Sequence, residues 1–287
     1  MTPAPYTPLG RSALCLVACL LASVAAAGET QYTATPSGSR TQVDTSFRSY
    51  DASTLTLSFT LDSAAVRTSM QEFGYADVEV KALLAVCTAE QCGQSELDRR
   101  VERYYRDHGM TPTYGAGNSL KLTVDIASVV RKNGTRIRPV AAELERVSGT
   151  RGYGADQQIA ATLAFVQTAL PYRQPPMSEG GRQIVGFYPP PRLLEAGWGD
   201  CDSKSALLAA IISNYQSSHM VGVHLPGHYL VGIDRVPRSG DAYIEYRGVP
   251  YVLMEASGPA MLAPGRIAET TQAALNTVSG VRIDPIF

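Results

Sequence analysis

The chain has 287 residues, of which 45% are hydrophobic and 18% charged, and its formal net charge is −1. This composition provides material for a sizeable core and excludes a largely disordered chain. Lysine and arginine are scattered along the sequence, whereas nucleic-acid-binding proteins usually cluster them, so no nucleic-acid partner is predicted.

Residues 1–27 are typical of a secretory signal peptide. Arg11 is the only charged residue among them, an apolar run starts at residue 13, and small residues stand at Ala25 and Ala27. A membrane-spanning helix needs ~20 apolar residues, so this shorter run predicts cleavage after Ala27 rather than an anchor. We therefore expect a periplasmic or secreted protein with no transmembrane segment after signal removal.

Lipid anchoring at the cell envelope is the alternative. The sequence Leu16-Val17-Ala18-Cys19 resembles the lipobox of bacterial lipoproteins, in which the cysteine carries the lipid. The apolar run continues for eight residues beyond Cys19, whereas a lipoprotein usually turns polar there. Simple cleavage is therefore the favoured prediction, and a lipid anchor at Cys19 is kept as the second.

Two predicted segments follow the signal peptide, over residues 28–150. Residues 28–50 are rich in Thr, Ser and Gln and are predicted to form a flexible leader. Residues 51–150 are predicted to form a small α+β domain, with alternating strands near 55–61 and 120–126 and an amphipathic helix over 96–108. No pattern in this domain indicates a site, so its role is not assigned.

Cysteine usage separates one thiol from the rest. Cys15 and Cys19 lie in the predicted signal peptide. Export implies an oxidising compartment, in which nearby thiols tend to pair, so Cys87 and Cys92, five positions apart, are predicted to form a disulfide. This leaves Cys201 as an unpaired thiol that needs an explanation.

Cys201 lies in the segment Gly197–Ser205, directly before the apolar pattern of a mostly buried helix over residues 206–215. A cysteine at a helix N-terminus faces unpaired amide groups and the positive end of the helix dipole, which favour the thiolate. Asp200 and Asp202 are predicted to serve this N-terminus rather than the chemistry. The segment therefore predicts Cys201 as a nucleophile.

Strand-like runs follow the helix, at residues 220–225, 229–233, 243–246 and 251–255. His228 opens the second run, after a Pro-Gly turn. A cysteine on a helix and a histidine on a strand of an antiparallel sheet is the layout that a Cys-His pair needs. A metal site is not predicted, because thiol or carboxylate partners at a recognisable spacing are missing.

Together these motifs resemble bacterial transglutaminase-like proteins, relatives of the papain-type cysteine peptidases. The resemblance covers roughly residues 155–260. It rests on three separated motifs in the family's order, which are Tyr188-Pro189 through Gly199-Asp200-Cys201-Asp202-Ser203-Lys204, Leu225-Pro226-Gly227-His228, and Tyr246-Arg247-Gly248 with Tyr251-Val252-Leu253-Met254-Glu255.

The resemblance implies a transglutaminase-like core over residues 151–287, in which a nucleophile helix packs on an antiparallel sheet. It implies a catalytic triad of Cys201, His228 and Glu255. The acid is often Asp in the wider superfamily, so Asp234, which closes the His228 strand, is the alternative to Glu255.

Two further residues are candidates for the acyl site. Trp198, the only tryptophan, is placed by its motif to line the site or to donate to the oxyanion. Gln167, in the upstream helix, is the candidate for the oxyanion-donor amide of papain-type enzymes. No metal and no organic cofactor is predicted for this site.

The predicted function is an exported cysteine enzyme that attacks an amide carbonyl of a peptide or protein substrate. The resulting thioester is resolved by water, as in a protease or amidase, or by an amine, as in acyl transfer. The alternative is a non-catalytic binding or assembly module of the cell envelope that keeps the same fold.

Overall fold

The computed structural model describes residues 30–115, 119–215, 218–258, 260–277 and 281–286. The predicted signal peptide and the alternative lipid site at Cys19 lie outside these residues. The described strands are β1 Gln31–Ser37, β2 Arg40–Arg48, β3 Thr54–Asp62, β4 Met110–Tyr114, β5 Leu120–Val124, β6 Ser178–Glu179, β7 Arg182–Gln183, β8 Met220–Leu225, β9 His228–Asp234, β10 Tyr243–Tyr246, β11 Val249–Met254 and β12 Arg282–Pro285.

The described helices are α1 Ser63–Gln71, α2 Asp77–Ala89, α3 Gln94–Asp107, α4 Ile126–Asn133, α5 Arg138–Thr150, α6 Ala155–Thr168, α7 Pro190–Ala196, α8 Cys201–Ile212 and α9 Glu269–Thr277, with a 3₁₀ turn at Gly134–Ile137. Both of the larger sheets are antiparallel. The predicted α+β class is therefore confirmed.

The predicted flexible leader is wrong for residues 31–48. These residues form β1 and β2, which pair with β3 in a three-stranded antiparallel sheet. Alternate side chains of β2, including Val43 and Phe47, are buried, and the Phe47 ring lies 5.5 Å from that of Phe165 on α6. Thr41 and Thr45 lie on this same buried face, because period-2 alternation places residues 41, 43, 45 and 47 together.

The second sheet has five strands in the order β10-β11-β9-β8-β12. Helix α8 packs on its central strand, β9, and is also in contact with α4, α6 and α7. Every side chain of α8 from Ser203 to Ile212 is buried, because this helix is enclosed on all sides rather than amphipathic.

One hydrophobic cluster joins the two halves of the chain. It includes Val43 and Leu57 from the first sheet together with Leu207, Val231 and Val252 from the region around α8. The predicted boundary between residues 150 and 151 therefore does not separate two cores.

The predicted Cys87–Cys92 disulfide is present. It links the last turn of α2 to the segment before α3, and Cys87 is buried. Within the residues that the structure describes, each helix is too short or too polar to cross a bilayer.

Gly222→Ala is expected to destabilise the fold, because a Cβ atom on this β8 residue would lie 1.6 Å from the buried Tyr229 hydroxyl. Overpacking of a core costs about 1–3 kcal/mol, and we expect a loss of unfolding free energy at or above that range. Urea unfolding measures it. The control is Gly149→Ala, an exposed α5 position with open space around it. Equal stability of the two variants would contradict the prediction.

Candidate active site

Cys201 is the first residue of α8, and the chain around it is held in place by backbone and capping contacts. The Asp200 side chain accepts a hydrogen bond from the Ser203 N–H at 3.0 Å, which caps the helix. Gly197 ends α7 in the left-handed conformation, at φ 74°, which glycine adopts without strain. The sulfur is mostly buried, with Cys201 9% exposed, so the nucleophile candidate lies at the edge of the core.

The surroundings of the thiol disfavour the thiolate. Burial raises the pKa of Cys201, and the carboxylates of Asp202 and Asp200 raise it further. The thiol donates a hydrogen bond to Asp202 Oδ1 at 3.3 Å. Desolvation and two adjacent negative charges therefore oppose the stabilisation of the thiolate that the helix N-terminus is predicted to provide.

The start of β9 lies against the first turns of α8. Ser205, one turn after Cys201, has its hydroxyl 3.3 Å from the Tyr229 carbonyl oxygen, to which it donates. The Tyr229 backbone N–H lowers the Cys201 pKa and so opposes burial in part. These contacts bring the residue that follows His228 next to the nucleophile candidate.

His228 is paired with Glu255. Its Nε2 lies 3.1 Å from Glu255 Oε1, because β9, which begins at His228, is paired with β11, which ends immediately before Glu255. A carboxylate only accepts hydrogen bonds, so Nε2 carries the proton and Nδ1 is the basic nitrogen. The arrangement makes His228 a proton acceptor held in one tautomer.

Burial acts to raise the pKa of Glu255, but hydrogen bonds outweigh it and hold the pKa below its ordinary value. The donors are His228, the Ala268 N–H at 2.8 Å and the Thr271 hydroxyl at 3.2 Å. The alternative acid, Asp234, lies at the other end of β9 and pairs with His219 at 3.4 Å. The structure therefore brings Glu255, and not Asp234, to His228.

Gln167 is not the oxyanion donor that was predicted. Its side-chain N–H groups donate to the carbonyls of Glu255, at 2.7 Å, and Leu262, at 2.9 Å. Its Oε1 accepts from Tyr50 and from the Leu262 N–H. Gln167 is 2% exposed, so this buried amide has no donor left for a substrate and instead braces the backbone at Glu255.

Trp198 lies half-buried on the chain segment that leads to Cys201. Its ring centroid is 5.1 Å from that of Tyr188, and the Arg173 guanidinium lies 4.5 Å from the indole centroid. The indole thus contacts both an aromatic ring, tilted by 51° to it, and a cation. Its predicted role at the acyl site stays a prediction.

Two residues near Glu255 were missed by sequence reasoning. Lys204, on α8, is fully buried and donates to the Leu170 and Ser257 carbonyls at 2.8 and 2.7 Å. Lys204 stands between Ser203 and Ser205, before the apolar run of α8 begins, so the local pattern did not indicate its burial. Thr271 carried no signal either, because nothing in the sequence of α9 relates it to Glu255.

A groove of about 260 Å³ runs beside His228 and Glu255. Its walls combine apolar and hydroxyl-bearing residues, which are Leu225, Pro226, Thr270, Thr271 and Ala274. In the described part of the chain, no group of three or more His, Cys, Asp or Glu side chains is arranged to hold a metal ion.

Asp202→Asn is expected to make Cys201 more reactive. The substitution removes the nearest negative charge, which raises the thiol pKa, so the thiolate forms at lower pH. The rate of alkylation of Cys201 by iodoacetamide, followed from pH 6 to 10, is expected to rise at neutral pH. Asp107→Asn makes the same charge change on exposed α3 and serves as the control. A rate at or below that of the unsubstituted protein would contradict the assignment.

Asp200→Asn is expected to change how stability depends on pH. Burial raises the pKa of Asp200 from 3.8 to about 6, so the ionised form is costly in the fold. This cost is absent below pH 3.8, grows between pH 3.8 and 6, and is complete above pH 6. By linkage it amounts to roughly 3 kcal/mol.

We therefore expect Asp200→Asn, in which asparagine can still cap α8, to gain unfolding free energy relative to the unsubstituted protein as the pH rises from 4 to 7. Urea unfolding at both pH values measures the difference. Asp62→Asn changes the exposed cap residue of α1 and is the control. A constant difference between the two pH values would contradict the burial of an ionised Asp200.

Comparisons with known proteins do not name a family for this chain. No protein-family model matches it, and neither curated proteins nor solved structures include a significant match. The geometry at Cys201, His228 and Glu255 is therefore the basis for any functional inference.

Proposed function

We propose that this chain is a cysteine enzyme of the transglutaminase-like type, with Cys201 as nucleophile, His228 as base and Glu255 as the residue that orients the base. The single observation that carries the proposal is the pairing of His228 Nε2 with Glu255 at 3.1 Å, on the strand that packs against the Cys201 helix. The order of elements, a nucleophile helix and then an antiparallel sheet, supports a transglutaminase-like core.

In the proposed reaction, Nδ1 of His228 takes the proton of Cys201 as the sulfur attacks an amide carbonyl of a peptide or protein. A C–S bond forms, and the backbone N–H of Cys201 stabilises the oxyanion. Collapse of the tetrahedral intermediate breaks the C–N bond, and the imidazolium returns its proton to the leaving amine. Water or a second amine then cleaves the thioester.

The raised pKa of Cys201 bears on how this reaction starts. A free thiolate is disfavoured, so the proposed reaction needs a base for the thiol proton, which is the role given to His228. Glu255 stays ionised because its donors hold its pKa down, and it stabilises the imidazolium that forms. The neutral, buried thiol is also the observation that favours the second candidate, a non-catalytic binding module.

The test is the reactivity of Cys201 toward iodoacetamide at pH 7, located by mass spectrometry of the Cys201 peptide. His228→Ala is expected to slow alkylation roughly 100-fold, within the usual contribution of a general base. Glu255→Gln is expected to slow it less, because glutamine can still accept a hydrogen bond from Nε2.

The control is His224→Ala, which removes a second histidine paired with a carboxylate, Asp284, on the strand next to His228. It is expected to leave the rate unchanged. If His228→Ala alkylates as fast as His224→Ala, His228 is not the base of Cys201, and the non-catalytic module becomes the better reading.

A further inference from the structure

The Glu255 carboxylate is held from two sides. His228 Nε2 and the Thr271 hydroxyl both contact Oε1, at 3.1 and 3.2 Å, and the Ala268 N–H contacts Oε2 at 2.8 Å. Two of these three donors come from the region at the start of α9. Because a carboxylate bonded on both oxygens cannot rotate freely, the α9 end of the chain determines which way Glu255 faces.

Thr271 differs from its neighbours on α9. It is 5% exposed, whereas Glu269 and Thr270 are exposed. Its side chain and that of Thr270 line the same groove beside His228, but Thr271 alone of the two has a hydrogen bond to Glu255. A buried hydroxyl with a carboxylate partner is a specific contact, because an unpaired one would carry a desolvation cost.

We infer that Thr271 is a positioning residue that orients Glu255 and thereby selects the tautomer of His228 in which Nδ1 is basic. This inference rests on the proposed function for its catalytic meaning, and on the hydrogen bonds of Glu255 for its structural content. It assigns a role in the site to a helix that lies outside the 155–260 region of family resemblance.

The physical argument follows from hydrogen-bond polarity. A carboxylate offers acceptors only, so the Thr271 O–H must donate to Oε1 and cannot compete for the His228 proton. Two donors on Oε1 then fix that oxygen opposite Nε2, which keeps the proton on Nε2. Without the hydroxyl, the carboxylate can pivot about its Ala268 contact, and the energetic preference for one imidazole tautomer falls.

The backbone around Glu255 is braced separately, so loss of the hydroxyl need not unfold the site. The Glu255 carbonyl accepts from Gln167, and the Ser257 carbonyl accepts from Lys204. A Cβ at Gly258 would lie 2.6 Å from the Gln167 carbonyl oxygen, which shows how closely this segment packs. Thr271 therefore acts on the side chain of Glu255, while α6 and α8 hold its main chain.

The test compares Thr271→Val, which keeps the shape and removes the donor, with Thr271→Ser, which keeps the donor. Thr270→Val is the matched control, because it removes an exposed hydroxyl from the same groove. Nitrogen-15 NMR of His228, at a pH where the imidazole is neutral, reports the tautomer directly. Alkylation of Cys201 by iodoacetamide reports the consequence, and thermal unfolding reports stability.

In the unsubstituted protein, Thr270→Val and Thr271→Ser, we expect the Nε2–H tautomer. In Thr271→Val we expect signal from the Nδ1–H tautomer and an alkylation rate lower by about tenfold, the effect of one lost hydrogen bond to a charged group. If Thr271→Val shows the same His228 tautomer and the same Cys201 alkylation rate as Thr270→Val, the inference is wrong. If Thr271→Val does not fold, Thr271→Ala replaces it in the same comparison.

The two proposals fail in different ways. If the His228 tautomer depends on Thr271 but the alkylation rate of Cys201 does not depend on His228, the positioning role is retained and the catalytic function is rejected. If the alkylation rate of Cys201 depends on His228 but the His228 tautomer is unaffected by Thr271, the catalytic function is retained and the positioning role is rejected.

Discussion

The arrangement of the candidate site depends on the hydrogen bonds of the buried Lys204 ammonium group. It lies within hydrogen-bonding distance of the carbonyls of Gln167, Leu170 and Ser257, so it joins α8 to the end of α6 and to the segment after Glu255. The last carbonyls of a helix have no partner inside the helix, and Lys204 contacts one of those of α6, the Gln167 carbonyl. Burial lowers its pKa to about 7, which is the cost of placing this charge in the core.

The N-terminal half of the chain contributes to the same arrangement. The Tyr50 hydroxyl, from the connection between β2 and β3, lies 2.7 Å from Gln167 Oε1 and 2.8 Å from the Leu262 carbonyl oxygen. Gln167 in turn holds the Glu255 carbonyl. Residues 30–62 are therefore not a separate unit attached to the rest, because one of their side chains supports the backbone at the candidate acid.

The electrostatics of the site divide between its two ends. At Cys201, burial and two aspartates raise the pKa of the thiol, whereas at Glu255 several hydrogen-bond donors lower the pKa of the carboxyl group. His228 lies on the strand between them, with its tautomer determined by the ionised end. Under the proposed function, the thiol therefore needs His228 as a base, because its surroundings oppose the free thiolate.

The sequence by itself determined the local features. Chain-local patterns identified Cys201 at the start of a helix, His228 at the start of a strand, the Cys87–Cys92 disulfide and the α+β class, because caps, alternation and short loops depend on neighbouring residues. Only the tertiary structure decided that Glu255 rather than Asp234 meets His228, that Gln167 braces a backbone, that residues 31–48 are strands, and that Thr271 contacts the acid. Each of these depends on strand pairing, or on burial against residues far along the chain, and no local pattern encodes such contacts.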